Sequence, residues 1–171
     1  ILSAQSTDQR VNMVTPALFK RYPNARALAK ATSTELEPQI HSTGFFRAKA
    51  RNVIAACKMI EKEYGGKLPR TMEKMLLLPG VARKTANVVL GNAYGIIEGI
   101  AVDTHVRRLS QRLGFSAHDN PVKIEKDLME LFSKKDWFKL TYALIDHGRA
   151  ICKAPAPRGE VCPVARSCPT G

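Results

Sequence analysis

Leu77-Leu78-Pro79-Gly80-Val81-Ala82-Arg83-Lys84-Thr85-Ala86 lies between two stretches of helical periodicity, and its reading decides the fold. Proline followed by glycine forces a tight turn, so one helix ends here and another begins. Backbone N–H groups after Gly80 then face outward at the start of the next helix. Together with the positive end of the helix dipole they suit a phosphate and read no base. Gly80 has no side chain to hold a nucleic-acid backbone away.

Outward from the turn the periodicity is helical almost throughout. Upstream, Asp8 is expected to cap a helix through Asn12 toward Phe19, with Pro16 kinking or restarting it. Thr32 and Glu35 have capping-box spacing ahead of a short helix near Leu36. A long amphipathic helix runs over 45–64, with Val53, Ile54, Cys57 and Ile60 on one stripe and Gly65-Gly66 as its stop. A short helix covers 71–77. Downstream a helix runs from about Arg83 to Gly91, and Ile100-Ala101-Val102 is a short buried run. Asp103 stands where an N-cap belongs, before a helix that Gly114 ends. Asn120-Pro121 opens a helix toward Phe132, and Trp137–Ile151 forms the last one. No alternation of apolar and polar residues is long enough for a strand, so the class is all-α. The expected division is a lobe over 1–97 and a second over 98–171.

The 171 residues include 27 Lys+Arg against 15 Asp+Glu, a net charge of +12, which favours a polyanionic partner. No apolar run approaches the roughly 20 residues that span a bilayer. The basic residues are dispersed rather than gathered on one amphipathic helix, which argues against a membrane surface. A soluble, cytoplasmic, nucleoid-associated monomer is expected. The sequence begins at Ile1 inside an apolar run, without methionine, and is read as a chain lacking an N-terminal piece. Of the four cysteines, Cys57 reads as a small buried hydrophobe, whereas Cys152, Cys162 and Cys168 crowd into a Pro- and Arg-rich tail and suggest a metal or cluster site.

Leu78-Pro79-Gly80-Val81-Ala82-Arg83-Lys84-Thr85-Ala86 resembles the helix-hairpin-helix of the endonuclease III family of DNA glycosylases. Leu2-Ser3-Ala4-Gln5-Ser6-Thr7-Asp8, Val102-Asp103-Thr104-His105 and His147-Gly148-Arg149 resemble further blocks of that family, in the same order and over essentially the whole chain. Ala82 departs from it, standing where the family usually has a second glycine, and its methyl group would crowd a phosphate slightly.

The resemblance implies two helical lobes with a cleft between them. It also implies a bifunctional glycosylase and AP lyase that removes oxidised pyrimidines from double-stranded DNA in base excision repair. Lys84 would displace the base and form a Schiff base, Asp103 would supply the carboxylate, and β-elimination would cut the strand 3′ to the abasic site. Arg83 and the helix dipole beside Lys84 disfavour its charged form. In the related adenine-glycosylase group the lysine position is typically not lysine. Gln5 matches the residue that enters the duplex opposite the flipped base, and Phe45 sits where the family places an apolar wedge, with Phe46 left to the core. Leu78, Gly80, Val81, Ala82, Arg83 and Thr85 form the phosphate-binding hairpin. Arg149 is expected on phosphates, and His105 either lines the pocket or is simply polar.

The family holds a [4Fe–4S] cluster with spacing C-x6-C-x2-C-x5-C. Here Cys152, Cys162 and Cys168 keep that spacing and Gly159 occupies the second position. Three outcomes stay open: a cluster completed by water, Glu160 or another ligand, a three-iron or labile cluster, or an empty site. Zinc is the weaker reading, since its fourth ligand is missing too. The competing function is a non-catalytic helix-hairpin-helix DNA-binding module, which the presence of both Lys84 and Asp103 opposes.

Overall fold

Every regular element of the structure, a computed structural model that describes residues 1–170, is a helix or a short 3-10 turn; the only strand pairing among the described residues is a single bridge between Cys152 and Pro157. The chain divides into two units, Ile1–Ala82 and Arg83 onward. This differs from the division expected after residue 97. The helix that follows the hairpin belongs to the second unit, because Arg83 and Asn87 bond to Glu125 and Gly91 lies against Phe138.

The first unit holds α1 (Asp8–Arg21), α2 (Ala25–Lys30), α3 (Ser33–Ile40), α4 (Phe46–Tyr64) and α5 (Met72–Leu76). Thr7, not Asp8, caps α1 by accepting the Arg10 N–H at 3.2 Å; Asp8 is the first helical residue, its charge placed at the positive end of the dipole. Pro16 sits inside α1, which continues past it to Arg21. The helix loses one hydrogen bond there and neither restarts nor ends. The Thr32–Glu35 capping box forms as expected. α2 has no counterpart in the sequence reading, because six residues are too few to show a stripe. It starts on the Asn24 side chain, which accepts the Ala27 N–H. The stripe of α4 buries Ile54, Cys57 and Ile60, and Gly65 ends the helix at φ +59°. Leu18, Leu36, Ile40, Ala50 and Ile54 form this unit's core.

The second unit holds α6 (Arg83–Tyr94), α7 (Thr104–Arg112), α8 (Pro121–Leu131) and α9 (Trp137–Ala150). α6 runs three residues beyond its expected end at Gly91, since a lone glycine weakens a helix without stopping it. Ile100, Val102, Val106, Leu109, Ile124, Leu128 and Leu144 pack into one core. Each fully buried Leu or Ile there contributes about 1.5–3 kcal/mol. The run Ile100–Val102 is buried as expected, and it fixes the point at which the chain emerges at Asp103.

Asn120 starts α8 by accepting the Val122 and Lys123 N–H groups. Asn120→Ala is expected to lower unfolding stability by about 1 kcal/mol in urea titrations; an unchanged midpoint would show that Pro121 alone sets this helix start.

Candidate nucleic-acid interface and active site

Asp103 is both a cap and a spare carboxylate. Its Oδ1 accepts the His105 and Val106 N–H groups, both at 2.8 Å, and so anchors α7. Its Oδ2 makes no hydrogen bond among the described residues, so capping leaves one carboxylate oxygen for another partner. Lys84 is exposed in the first turn of α6, not enclosed in a dry pocket. The expected cationic neighbour is also compensated. Arg83 directs its guanidinium to Glu125, so it presents Lys84 with half of an ion pair rather than a bare charge.

Glu125 is the residue sequence reading missed. Its side chain is 5% exposed and it accepts from three directions. Oε2 takes Arg83 Nε, and Oε1 takes the Asn87 amide at 2.9 Å and the Ile100 N–H at 3.2 Å. One buried carboxylate on α8 thereby ties the first two turns of α6, which carry Lys84, to the segment that ends at Asp103. A buried charge satisfied by this many donors is stable where an unpaired one would not be. The available signal was a glutamate at the centre of an apolar helix stripe, between Ile124 and Leu128.

In the first unit, Gln5, Phe45 and Gly80 line one cavity of about 260 Å³, together with Ala4, Ala48 and Asn52. Gln5 and Phe45 come from loops forty residues apart, and among the described residues they are the only two non-glycine residues with positive φ, at 51° and 47°. Phe45 is 67% exposed, whereas Phe46 packs against the core. A bulky side chain in left-handed backbone is uncommon and is held only where its surroundings fix it. Gly80 has φ +75°, and a Cβ there would stand 2.8 Å from the Cβ of Asn52. Glycine is therefore demanded by packing on α4 as well as by the turn. Leu78, grouped from sequence with the phosphate-facing residues, is 2% exposed. Its side chain is an anchor in the core, and its carbonyl accepts the Val81 N–H that closes the turn. Val81 and Thr85 are half-buried and Ala82 is exposed.

His105 engages Arg108 through Nδ1 at 3.3 Å and lies against Gly148 of α9, which places it in the second unit's packing. Arg149 is exposed in the last turn of α9.

Cys152, Gly159, Cys162 and Cys168 line a second cavity, of about 240 Å³. Among the described residues no three His, Cys, Asp or Glu side chains gather closely enough to hold a single metal ion. The thiols surround a space instead of meeting at a point, which suits a group larger than one ion. A Cβ added at Gly159 would meet nothing within 4 Å. The residues present thus fit an iron–sulfur cluster at three corners and offer no side chain at the fourth. Glu160, the alternative fourth ligand, faces Arg158 at 3.8 Å and is not among the residues lining the cavity. Arg112, not singled out from sequence, organises the tail. Its guanidinium donates to Cys152 Sγ at 3.2 Å and to the Lys153 and Ala154 carbonyls, while its own carbonyl accepts from Cys168 and Thr170. Burial and nearby Glu61 push the Cys57 thiol up to about 11.

Residues 1–134 match the HhH-GPD superfamily of base excision DNA repair proteins. The chain belongs to that superfamily, within its endonuclease III family. It is 56% identical to endonuclease III of Synechocystis over 170 residues, 99% of this chain and 78% of that protein. It is 44% identical to endonuclease III of Bacillus subtilis over 171 residues, again 99% of this chain and 78% of the relative. The structure of a trapped endonuclease III–DNA covalent intermediate superposes with a TM-score of 0.93 at 43% identity, covering 99% of this chain and 79% of that one. The chain is a DNA glycosylase/AP lyase of base excision repair, with the all-α helix-hairpin-helix fold that the sequence predicted. No helix among the described residues is long and apolar enough to cross a membrane.

Asp103→Asn should slow base release by roughly a hundredfold or more while leaving the melting temperature nearly unchanged, because asparagine caps α7 as well. Single-turnover rates on a lesion duplex and thermal melts of the same preparation decide it; an unfolded variant with normal activity per folded molecule would make Asp103 a cap alone. Thiol titration of the native chain should find Cys57 silent near pH 8, because burial raises its pKa and the thiolate is the reactive form; its reaction at the rate of a free thiol would contradict the burial.

Proposed function

We propose that Lys84 is the nucleophile and Asp103 the charge-stabilising carboxylate of this enzyme, acting on oxidised pyrimidines and abasic sites in duplex DNA. The observation that carries this reading is the Glu125 junction, which bonds both to the helix that begins beside Lys84 and to the segment that ends at Asp103. The uncommitted Oδ2 of Asp103 supports it further, being an oxygen available to a developing positive sugar.

The unprotonated Lys84 amine attacks the sugar C1′ with its lone pair. The N-glycosidic electron pair leaves with the base, which takes up a proton. Opening of the sugar ring then gives a Schiff base between Lys84 and C1′. Loss of the C2′ proton pushes electrons toward C3′, whose bond to the 3′ phosphate oxygen breaks. Water hydrolyses the imine and frees Lys84. An oxocarbenium-like charge develops at C1′ during the first step, and a carboxylate aimed at it lowers that barrier.

The outward N–H groups at the start of α6 and the exposed turn at Gly80 bind the backbone of a strand whose target nucleotide is extruded. Gln5 and Phe45 occupy the space it leaves, glutamine offering both a donor and an acceptor to the orphaned base and phenylalanine wedging the base step. The +12 charge supplies the salt-dependent part of affinity. The enzyme works as a monomer on nucleoid DNA in the cytoplasm.

An iron–sulfur cluster in the tail cavity would be held by Cys152, Cys162 and Cys168. Its contribution would be to cross-link the tail to α7 and α9 and to present Arg158 and Arg166 to phosphates; none of the steps at Lys84 uses it. Gly159 leaves one corner without a protein ligand.

Lys84→Gln should abolish strand cleavage of an abasic duplex while binding stays measurable, because many other cations hold phosphates; wild-type-like cleavage would remove Lys84 from the mechanism. Gly159→Cys should raise iron per chain and the melting temperature together. Equal iron content and equal melting temperature in the two proteins would show that Gly159 is not the weak corner of the cavity.

A further inference from the structure

Lys49, in the first turn of α4, is buried at 4% exposure, and no carboxylate among the described residues pairs with it. Burial depresses its affinity for the proton. Its Nζ donates to the Leu2 carbonyl at 2.8 Å and to the Thr43 carbonyl at 2.7 Å. Its backbone N–H donates to the Phe45 carbonyl at 3.0 Å. One residue therefore grips the chain on both sides of Gly44 and, across forty-seven residues of sequence, the segment that precedes Gln5.

Both gripped segments are otherwise built from tight local turns. The Ala4 N–H returns to the Ile1 carbonyl and the Ser6 N–H to the Ser3 carbonyl, so the position of Leu2 sets that of Gln5. Thr43 is buried and its hydroxyl donates to the Ile40 carbonyl, so the Thr43 carbonyl is the last fixed point before Gly44 and Phe45 turn left-handed. Gln5 and Phe45 line the cavity that Lys49 also borders. A buried ammonium held only by carbonyls is a costly way to stabilise a fold, since an apolar side chain of similar length serves packing as well. What it supplies that an apolar residue cannot is two directed bonds from a single point to two separate loops.

We propose that Lys49 is a positioning residue for base extrusion, its ammonium fixing the spacing between the Gln5 and Phe45 loop tips that enter the duplex. This rests on the assignment of Gln5 and Phe45 to that role. Misplacing the tips would slow the opening of the duplex while leaving the groups at Lys84 and Asp103 as they are, because the bonds of the Lys49 ammonium go to the Leu2 and Thr43 carbonyls.

The test uses the full chain carrying Lys49→Met, which keeps length and removes all donors. Two duplexes bear the same oxidised pyrimidine, one fully paired and one with the opposing nucleotide missing, and 2-aminopurine beside the lesion reports unstacking. Lys49→Met should melt within about 5 °C of the parent and lose the 2-aminopurine signal. It should slow base release from the paired duplex by roughly tenfold to a hundredfold, with a several-fold smaller loss on the duplex that lacks the opposing nucleotide. Should Lys49→Met fail to fold, Lys49→Gln, too short to reach both carbonyls, carries the same expectations. Equal losses on the two duplexes, or a normal 2-aminopurine signal, would overturn the proposal. Gln5→Ala and Phe45→Ala run alongside. If they impair unstacking and Lys49→Met does not, the positioning role alone falls; if neither impairs it, the duplex-entering assignment falls first and takes the Lys49 proposal with it.

Discussion

A single buried carboxylate, Glu125, holds together the half of the molecule that carries the proposed catalytic pair. Its three acceptor bonds reach Arg83, Asn87 and the Ile100 N–H. Without it Asn87 would be a buried amide with no acceptor, Ile100 would have a buried orphan N–H, and Arg83 would have no counter-charge. The first two losses are costly in a core, and the third leaves a half-exposed guanidinium without its partner. The arrangement also explains why Arg83 belongs with α8 more than with Lys84. A cation already matched by a buried carboxylate contributes little field at its neighbour.

Helix starts recur at the positions proposed to be functional. Lys84 stands in the first turn of α6 and Asp103 is the N-cap of α7. Capping and the catalytic role proposed for Asp103 ask for the same residue, and one carboxylate can meet both demands because it has two oxygens. In the first unit, Phe45 precedes the first residue of α4, and there the cap is a left-handed phenylalanine with no side-chain bond. A good helix start has been given up at that residue, and the consequence is an aromatic ring left 67% exposed.

Much of this was legible in the sequence. Caps with strong local chemistry, such as Thr32–Glu35, Asp103 and Asn120-Pro121, announce helix starts, because the hydrogen bonds that make them lie within three or four residues. The Pro79-Gly80 turn was legible for the same reason. What was not legible depends on distance along the chain. Thr7 rather than Asp8 as the α1 cap is a one-residue choice between two capable side chains. The unit boundary after Ala82 depends on Arg83 finding Glu125 forty-two residues away, and no local pattern reports that. Leu78 was grouped with the phosphate-facing residues expected of the hairpin, whereas its apolar side chain beside the turn goes to the core. Arg112 reads as an ordinary basic residue near a helix end, whereas in the fold it donates to the Cys152 sulfur and to two tail carbonyls. The tail's glycine was visible in the sequence, and the structure adds that the missing side chain leaves open space, with no neighbour moved in to fill it.

The account depends most on which amine meets the sugar. Borohydride reduction of the protein mixed with an abasic duplex, followed by proteolysis and mass mapping of the cross-linked peptide, identifies that amine directly. The account predicts one adduct, on the peptide that contains Lys84. An adduct on another lysine, or none at all from a chain that still cuts the strand, would contradict it.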